Sequence, residues 1–539
     1  MQPTVYSALA KGMSGAVPNA APRDNFTVLK RDSLSFRLVF EAQEAGEYSF
    51  SVTELPACEL FLYKVGGVEV DKKIADENDS WLINDGQPGF YEDVLYPLKN
   101  GIFNADKGIN SLWIELKTSE ATAAGKYTVA IVGKGETELN AEAHIEVCDA
   151  VLPRQKVICT NWFHCDCLAT QYNVEVFSEE HWLLMRNYIK FAVAHGINCI
   201  LTPLFTPPLD TEIGGERPSV QLVGVKRRAY KYSFDFEKLD RWVDMCLECG
   251  VEYFELSHLY TQWGAHNAPK IIAETTSGVQ QIFGWSTKAA SQGYQSFLRQ
   301  FAEAFTQYAK QKGIAERCFF HVSDEPSLKD YFSYRRVARL TREYFSQFKQ
   351  MDAMSEYIFC KSKLVDLPVA CIDHYRNFHD KVEHRWCYYC CGPNGNDYIN
   401  RFVFMPSLRN RALGLMLFKY DIEGFLHWGY NFWYTVLSKD RVNPYENCTA
   451  GGGFPAGDGF VVYPGEDYSP VASIRLKVFA AAFSDEGALE LLAEKIGRQA
   501  ALEFIEGELD RPLDFNCFPK EDEWLLDLRD RLNRLVAQK

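Results

Sequence analysis

From residue 156 onward, apolar runs of strand length alternate with long helical stretches, and this alternation does most to narrow the folds open to the chain. Strands are expected at KVICTNWF (156–163), NCILTPLF (198–205), EYFELSHLY (252–260), CFFHVSDE (318–325), PVACIDHY (368–375), RWCYYCC (385–391) and GFLHWGYN (424–431). Between them lie helices such as SEEHWLLMRNYIKFAVAHG, which starts at the N-cap Ser178 and stops at Gly196, and FDFEKLDRWVDMCLECG, which ends at Gly250. Strands repeatedly followed by helices imply parallel βα units. Seven such strands, with an eighth that the pattern does not locate, predict an α/β fold of the (β/α)8 TIM-like barrel type over 151–480. A doubly wound open sheet is the competing fold, but no GxGxxG follows a strand to support it.

The region before the barrel has a different period. LSFRLVF (34–40), SLWIELK (111–117), KYTVAIVG (126–133) and AEAHIEV (141–147) alternate apolar and polar residues, as half-buried antiparallel strands do. Glycine and Asn/Asp clusters such as VGGVEV and DKGIN separate them, which predicts a β-sandwich over 26–150, preceded by an N-terminal extension, 1–25. The charged, helical stretch 481–539 reads as a C-terminal helical segment.

Charge and cysteine usage limit the partners. The net charge is −15 and no basic stripe occurs, which argues against nucleic acid and against an anionic membrane surface. The 16 cysteines sit mostly in apolar segments such as VICTNWFHCDC and INCIL, as free thiols in a reducing compartment would. The first residues contain no continuous apolar stretch of the signal-peptide kind, and no run of about 18 apolar residues follows, so a soluble, cytoplasmic protein is expected. Cys246 and Cys249 form a CxxC inside a helix, and CYYCC (387–391) lacks a matching His or Cys pair at zinc spacing, so no metal site is expected. A Cys165–His164 nucleophile is disfavoured because adjacent residues rarely reach the geometry it needs.

In a barrel of this kind, chemistry sits where strands run into the following loops. The strand endings here carry Asn161, Trp162 and His164; Glu255, His258, Tyr260, Trp263 and His266; Asp373, His374 and Tyr375; Tyr388 and Tyr389; and His427, Trp428, Tyr430, Asn431 and Trp433. Each alone is more readily a packing residue. Their convergence on one face suits a pyranose, whose faces are apolar and whose rim is hydroxyl, and makes Asn161, His258, Trp263, Tyr375, Tyr388, Trp428, Tyr430 and Trp433 the candidate sugar-binding residues. The Gly-rich stretch 435–459 is long and aperiodic, as loops bordering a site are, and its Asp458 is either a hydroxyl acceptor or a turn former.

The run CFFHVSDEPS (318–327) places Asp324 and Glu325 side by side at the end of a strand. Pro326 ends the ladder and predicts an extended Glu325, so that both acids emerge at the rim. Their proximity separates their titrations, and a neutral acid beside a carboxylate is what glycoside cleavage requires. The competing reading is that the pair caps the helix SLKDYFSYRRVARL. Adjacent acids are awkward for the usual division into nucleophile and acid/base, whose carboxyls flank the sugar about 5 to 5.5 Å apart. They suit a substrate that supplies its own nucleophile: a 2-acetamido oxygen attacks the anomeric carbon, Asp324 holds the acetamido N–H, and Glu325 serves as acid and then base.

SDEP after a hydrophobic strand, GFLHWGYNFW (424–433), GDGFVVYPG (457–465) and SIRL (473–476), in that order, resemble the glycoside hydrolase family 123 β-N-acetylgalactosaminidases and their glycoside-hydrolase-like relatives. The likeness spans most of the chain. It implies an N-terminal β-sandwich, a catalytic (β/α)8 barrel, no metal or other cofactor, and substrate-assisted retaining cleavage of terminal β-linked N-acetylgalactosamine from a glycan. Asp324 and Glu325 match the family's Asp-Glu pair. One departure follows SIRL, where VFAAAFSDEGALELL stands in place of an Arg-Asp-Gly-Ile-Glu-Asp-like segment. A glycosidase for another sugar, and a glycan-binding protein without turnover, remain the alternatives at this stage.

Overall fold

The computed structural model describes residues 1–71 and 78–538. Eight parallel strands close into a barrel: β1 (Ile158–Asn161), β2 (Cys199–Thr202), β3 (Tyr253–Leu256), β4 (Cys318–His321), β5 (Lys349–Met354), β6 (Leu367–Cys371), β7 (Trp386–Tyr388) and β8 (Gly424–His427). β8 pairs back onto β1, from Ile158 with Gly424 to Asn161 with His427. β5, KQMDAM, is the strand without a signal in the sequence: it carries Lys, Gln and Asp, yet Gln350 and Asp352 are buried.

Side-chain alternation fills the barrel. Leu201, Phe319, Ala353, Val369, Trp386 and Leu426 belong to one interior cluster, whereas their neighbours Ile200, Phe320, Met354, Ala370, Cys387 and Phe425 join the larger core beneath the helices. Thr160, Glu255 and His321 continue the inward phase of Ile158, Tyr253 and Phe319, so the upper barrel is polar where the lower barrel is apolar. Asp352, between the interior residues Met351 and Ala353, instead meets Tyr334 of the helix Tyr331–Tyr344.

Two sheets precede and flank the barrel. The larger has seven strands in the order Thr4–Ser7, Ser33–Ala42, Gly108–Thr118, Cys58–Val70, Gly89–Pro97, Pro470–Ser473 and Val462–Pro464; the smaller has five, Asn25–Lys30, Glu138–Val151, Gly125–Lys134, Gly46–Val52 and Ile102–Ala105. One cluster, with Phe26, Phe36, Leu38, Phe50, Ile114 and Ile131 among its members, draws side chains from both sheets. Residues 4–7 pair antiparallel with 36–39, so the segment that reads as an extension contributes a strand. Residues 462–473, within the span that reads as barrel, add two strands to the same sheet through Ala472 opposite Leu95 and Ser473 opposite Val94.

The helix Ile474–Ile496 starts at Ser473, whose Oγ accepts from Leu476 N, and lies between barrel and sheet. It buries two cations against the sheet. Arg475 Nε and Nη2 each donate to Asp93 at 2.9 Å, and Lys477 Nζ donates to Glu115 at 2.7 Å. A four-stranded sheet built from two hairpins, Gly224–Arg228 with Lys231–Asp235 and Ile271–Thr275 with Gly278–Phe283, is inserted in the loops after β2 and β3. Among the described residues no helix is long and apolar enough to cross a membrane.

Candidate active site

The segment after β4 is held from both sides. Val322 N and Ser323 N donate to Asp352 Oδ1 at 3.1 and 3.2 Å, and Ser323 Oγ donates to Thr261 O at 2.9 Å. One residue further on, Asp324 O accepts from Trp263 N at 3.0 Å. Beyond the acids, Ser327 and Asp330 form a capping box over Leu328–Asp330, which leads into the helix Tyr331–Tyr344. Capping is thus done by other residues, and the reading of the acid pair as a helix cap falls away.

Glu325 departs from the sequence expectation. Its φ is 40°, on the left-handed side, where Pro326 predicts an extended backbone. The flanking anchors, at Asp324 O and at the Ser327–Asp330 box, fix the path of the chain and override the local preference. Such a conformation costs about 1–3 kcal/mol and is typical of functional turns. The result is that both carboxyls line one pocket of about 100 Å³, whose walls include Trp162, Gln262, Trp263, Tyr388, Trp428 and Phe454.

Both acids are held above their usual range. For Asp324 the main cause is burial, followed by the charge of Glu325; Asp352 and Glu255 add to it and His321 opposes it. Glu325 is raised by burial, while the Tyr388 hydroxyl, which donates to Glu325 Oε1, pulls it back. Two carboxyls that oppose each other's ionisation titrate stepwise, so the pair retains one proton over a range of pH. This is the protonation state a general acid beside a carboxylate needs.

Below the pocket lies a buried ionic layer. Glu255 accepts from Thr160 Oγ1, from Trp162 Nε1 at 2.6 Å and from His321 Nε2. His321 Nδ1 lies 3.0 Å from Asp352 Oδ1, and Tyr334 donates to Asp352 Oδ2 at 2.5 Å. The two carboxylates push the His321 imidazole up to about 10, against its burial. Glu255 thereby orients Trp162, which forms part of the pocket wall.

Of the sugar-binding candidates, the pocket brings together Trp263, Tyr388 and Trp428 with Asp324 and Glu325. Trp263 is 48% exposed, the most open of its aromatic walls. The other five are committed elsewhere. Asn161 Oδ1 accepts from Arg401 Nη2 at 2.6 Å, and His258 stacks on His321 at 4.1 Å between ring centroids. Tyr375 packs against Tyr420 and Phe515; Tyr430 donates to Tyr188 O at 3.0 Å; Trp433 Nε1 donates to Val462 O at 3.3 Å. All five are buried: Asn161, still in the ladder, is turned away from the interior by alternation with the inward Thr160, whereas the other four lie past the last ladder residue, where alternation no longer fixes where a side chain points.

The Gly-rich loop supplies Phe454 to the pocket. Its Asp458 lies behind the wall, where Oδ2 accepts from Trp428 Nε1 at 2.9 Å, and burial raises it to about 7. Asp210 lines the pocket too, raised by burial to about 6, and its Oδ2 accepts from Leu437 N at 2.9 Å, tying the β2 loop to the Gly-rich loop. His321, Asp352 and Asp210 carried no signal, the first hidden in an apolar run, the second in the unlocated strand, the third in a long loop. The departing segment after SIRL is structural: Asp485 pairs with Arg411 of the helix Ser407–Arg411 and with Arg529 of the helix Asp522–Ala537. Among the described residues no group of three or more His, Cys, Asp or Glu is arranged to hold a metal ion.

Residues 162–492 match the sequence model described as glycoside hydrolase 123, catalytic domain. No curated protein matches. Among solved structures, a family 123 glycoside hydrolase from Clostridium perfringens, studied for glycolipid glycan hydrolysis, superposes with a TM-score of 0.74 at 16% identity, over 99% of this chain and 97% of that one. β-Glucuronidase 2 from Bacteroides uniformis gives 0.31 at 11% identity, over 87% of this chain and 49% of that one. A GH10 xylanase from termite gut gives 0.33 at 12% identity, over 86% and 100%.

Proposed function

The chain belongs to the glycoside hydrolase 123 family and is a glycoside hydrolase, and on that premise we propose that it cleaves terminal β-linked 2-acetamido sugars, N-acetylgalactosamine foremost, by substrate-assisted retaining catalysis at Asp324 and Glu325. The observation that carries this reading is that the two adjacent acids enter one pocket while neighbouring residues do the helix capping. The acetamido carbonyl oxygen attacks C1 as the glycosidic bond breaks. The bonding pair leaves with the glycosidic oxygen, which takes the proton of Glu325. Asp324 accepts the acetamido N–H and stabilises the oxazolinium ion. Water then attacks C1, giving its proton to Glu325 and reopening the ring, and two inversions retain the configuration. Trp263, Tyr388 and Trp428 are assigned to sugar contact. Asp210 is less suited to act as an enzymic nucleophile, since its carboxylate already anchors Leu437 N.

The two N-terminal sheets we read as a β-sandwich that supports the barrel. The study of glycolipid glycans in the Clostridium perfringens relative directs the search for the natural substrate to glycan headgroups that end in such a sugar. The test is hydrolysis of aryl β-glycosides of N-acetylgalactosamine, N-acetylglucosamine, galactose and glucose by wild type and Glu325→Gln. Turnover confined to the acetamido sugars is expected. In the variant it should be lost on poor leaving groups and spared on activated ones. Equal loss on both kinds would remove Glu325 as the acid, and turnover of galactose or glucose would replace the substrate-assisted step.

A further inference from the structure

Glu255 and Asp352 define the state of the ring between them. Glu255 accepts from Thr160 and Trp162, and Asp352 from Tyr334, Val322 N and Ser323 N, so five neutral donors converge on two fully buried carboxyl groups. That many donors suits acceptor-only, ionised carboxylates. His321 presents one nitrogen to each, and a ring whose two nitrogens both face carboxylates must donate from both, which makes it an imidazolium. We propose that His321 is a positioning residue of the reaction, a buried imidazolium clamped by Glu255 and Asp352 that fixes the backbone leading to Asp324 and supplies the cation that allows Asp324 to ionise beside Glu325.

Two links carry this. Mechanically, the Asp352 carboxylate that holds the His321 ring also accepts from the two backbone N–H groups immediately before Asp324. Electrostatically, Glu325, Asp352 and Glu255 raise Asp324 and His321 lowers it. His258, stacked on His321 with an interplanar angle of 17°, is held neutral by burial and by the His321 charge, and both its nitrogens lack partners among the described residues. It therefore cannot substitute for the cation. Asp373 acts on Glu325, Glu325 in turn raises Asp458 behind the Trp428 wall, and Asp210 lines the pocket.

The inference rests on the reading of Asp324 as the ionised partner of the acetamido group, whose deprotonation would form the acid limb of the kcat/KM profile. The experiment is that profile on an aryl 2-acetamido glycoside for wild type, His321→Gln, Asp352→Asn, Glu255→Gln and Asp324→Asn. Loss of the cation should move the acid limb up by about one pH unit, and loss of either buried anion should move it down by about as much. Opposite displacements cannot come from a merely structural lesion, which lowers the active fraction without sorting by charge. An acid limb that stays in place, or moves the same way in all three variants, overturns the inference. If His321→Gln does not fold, the wild-type protein decides through the 15N resonances of the His321 ring: two protonated nitrogens at neutral pH support the buried imidazolium, and a neutral ring overturns it. Asp324→Asn tests the underlying reading separately, because an acid limb that persists in that variant removes Asp324 itself, whatever His321 does.

Discussion

Tyr388 and Glu325 show how one hydroxyl can set the working range of an acid. The Tyr388 hydroxyl donates to Glu325 Oε1, and this bond favours the ionised carboxylate against the burial that favours the neutral form. Removing it in Tyr388→Phe leaves burial unopposed, so Glu325 keeps its proton to higher pH. If Glu325 is the general acid, the basic limb of the kcat/KM profile moves up by about one pH unit or somewhat more, the worth of a hydrogen bond to a charged group. A pH–rate series on wild type and variant checks this, and an unmoved basic limb would separate Tyr388 from the acid. At this scale the acid pair was legible, because two adjacent carboxyls before a proline at the end of an apolar strand have few structural uses. The backbone of Glu325 was not, since the Pro326 preference was overruled by Trp263 and by the Ser327–Asp330 box, contacts invisible in the local sequence.

Strand β8 depends on a residue without a side chain. A Cβ on Gly424 would lie 2.1 Å from the Trp386 ring, which fills the barrel from the neighbouring strand β7. Gly424→Ala must therefore shift an indole packed on all sides. Overpacking of this kind costs about 1–3 kcal/mol, read as a lower Tm and an earlier urea midpoint. An unchanged Tm would mean that the ring has room to move. Seven of the eight strands were legible because both faces of a parallel strand are buried, so each reads as an apolar run. β5 broke that rule because it buries Asp352 against His321 and the chain before Asp324, and its polarity erased the pattern that marks a strand. The aromatic strand ends were legible as a set, but Tyr430 and Trp433 turned into the packing while Trp428 faced the pocket.

Across the molecule, the sheet and the barrel are joined through the helix Ile474–Ile496. Besides pairing with Asp93, Arg475 donates through Nη1 to Gly457 O and Phe460 O at 2.6 and 2.7 Å, at the end of the Gly-rich loop that supplies Phe454 to the pocket. Arg475→Ala strands a buried carboxylate and frees the loop. It should cost about 3–5 kcal/mol of stability, seen by thermal and denaturant unfolding, and raise KM on the acetamido glycosides. A variant as stable as wild type would show that solvent reaches Asp93. By itself the sequence determined the barrel, the two-period organisation of the chain and the position of the acid pair, because side-chain periodicity and charge adjacency are local properties. Only the tertiary structure decided which aromatics face the sugar pocket, that residues 4–7 and 462–473 belong to one sheet, and that Glu255, His321 and Asp352 meet beneath Asp324. Those three come from the consecutive strands β3, β4 and β5, and they meet because these strands pair side by side across segments far apart in sequence, in a register that no single stretch of sequence signals.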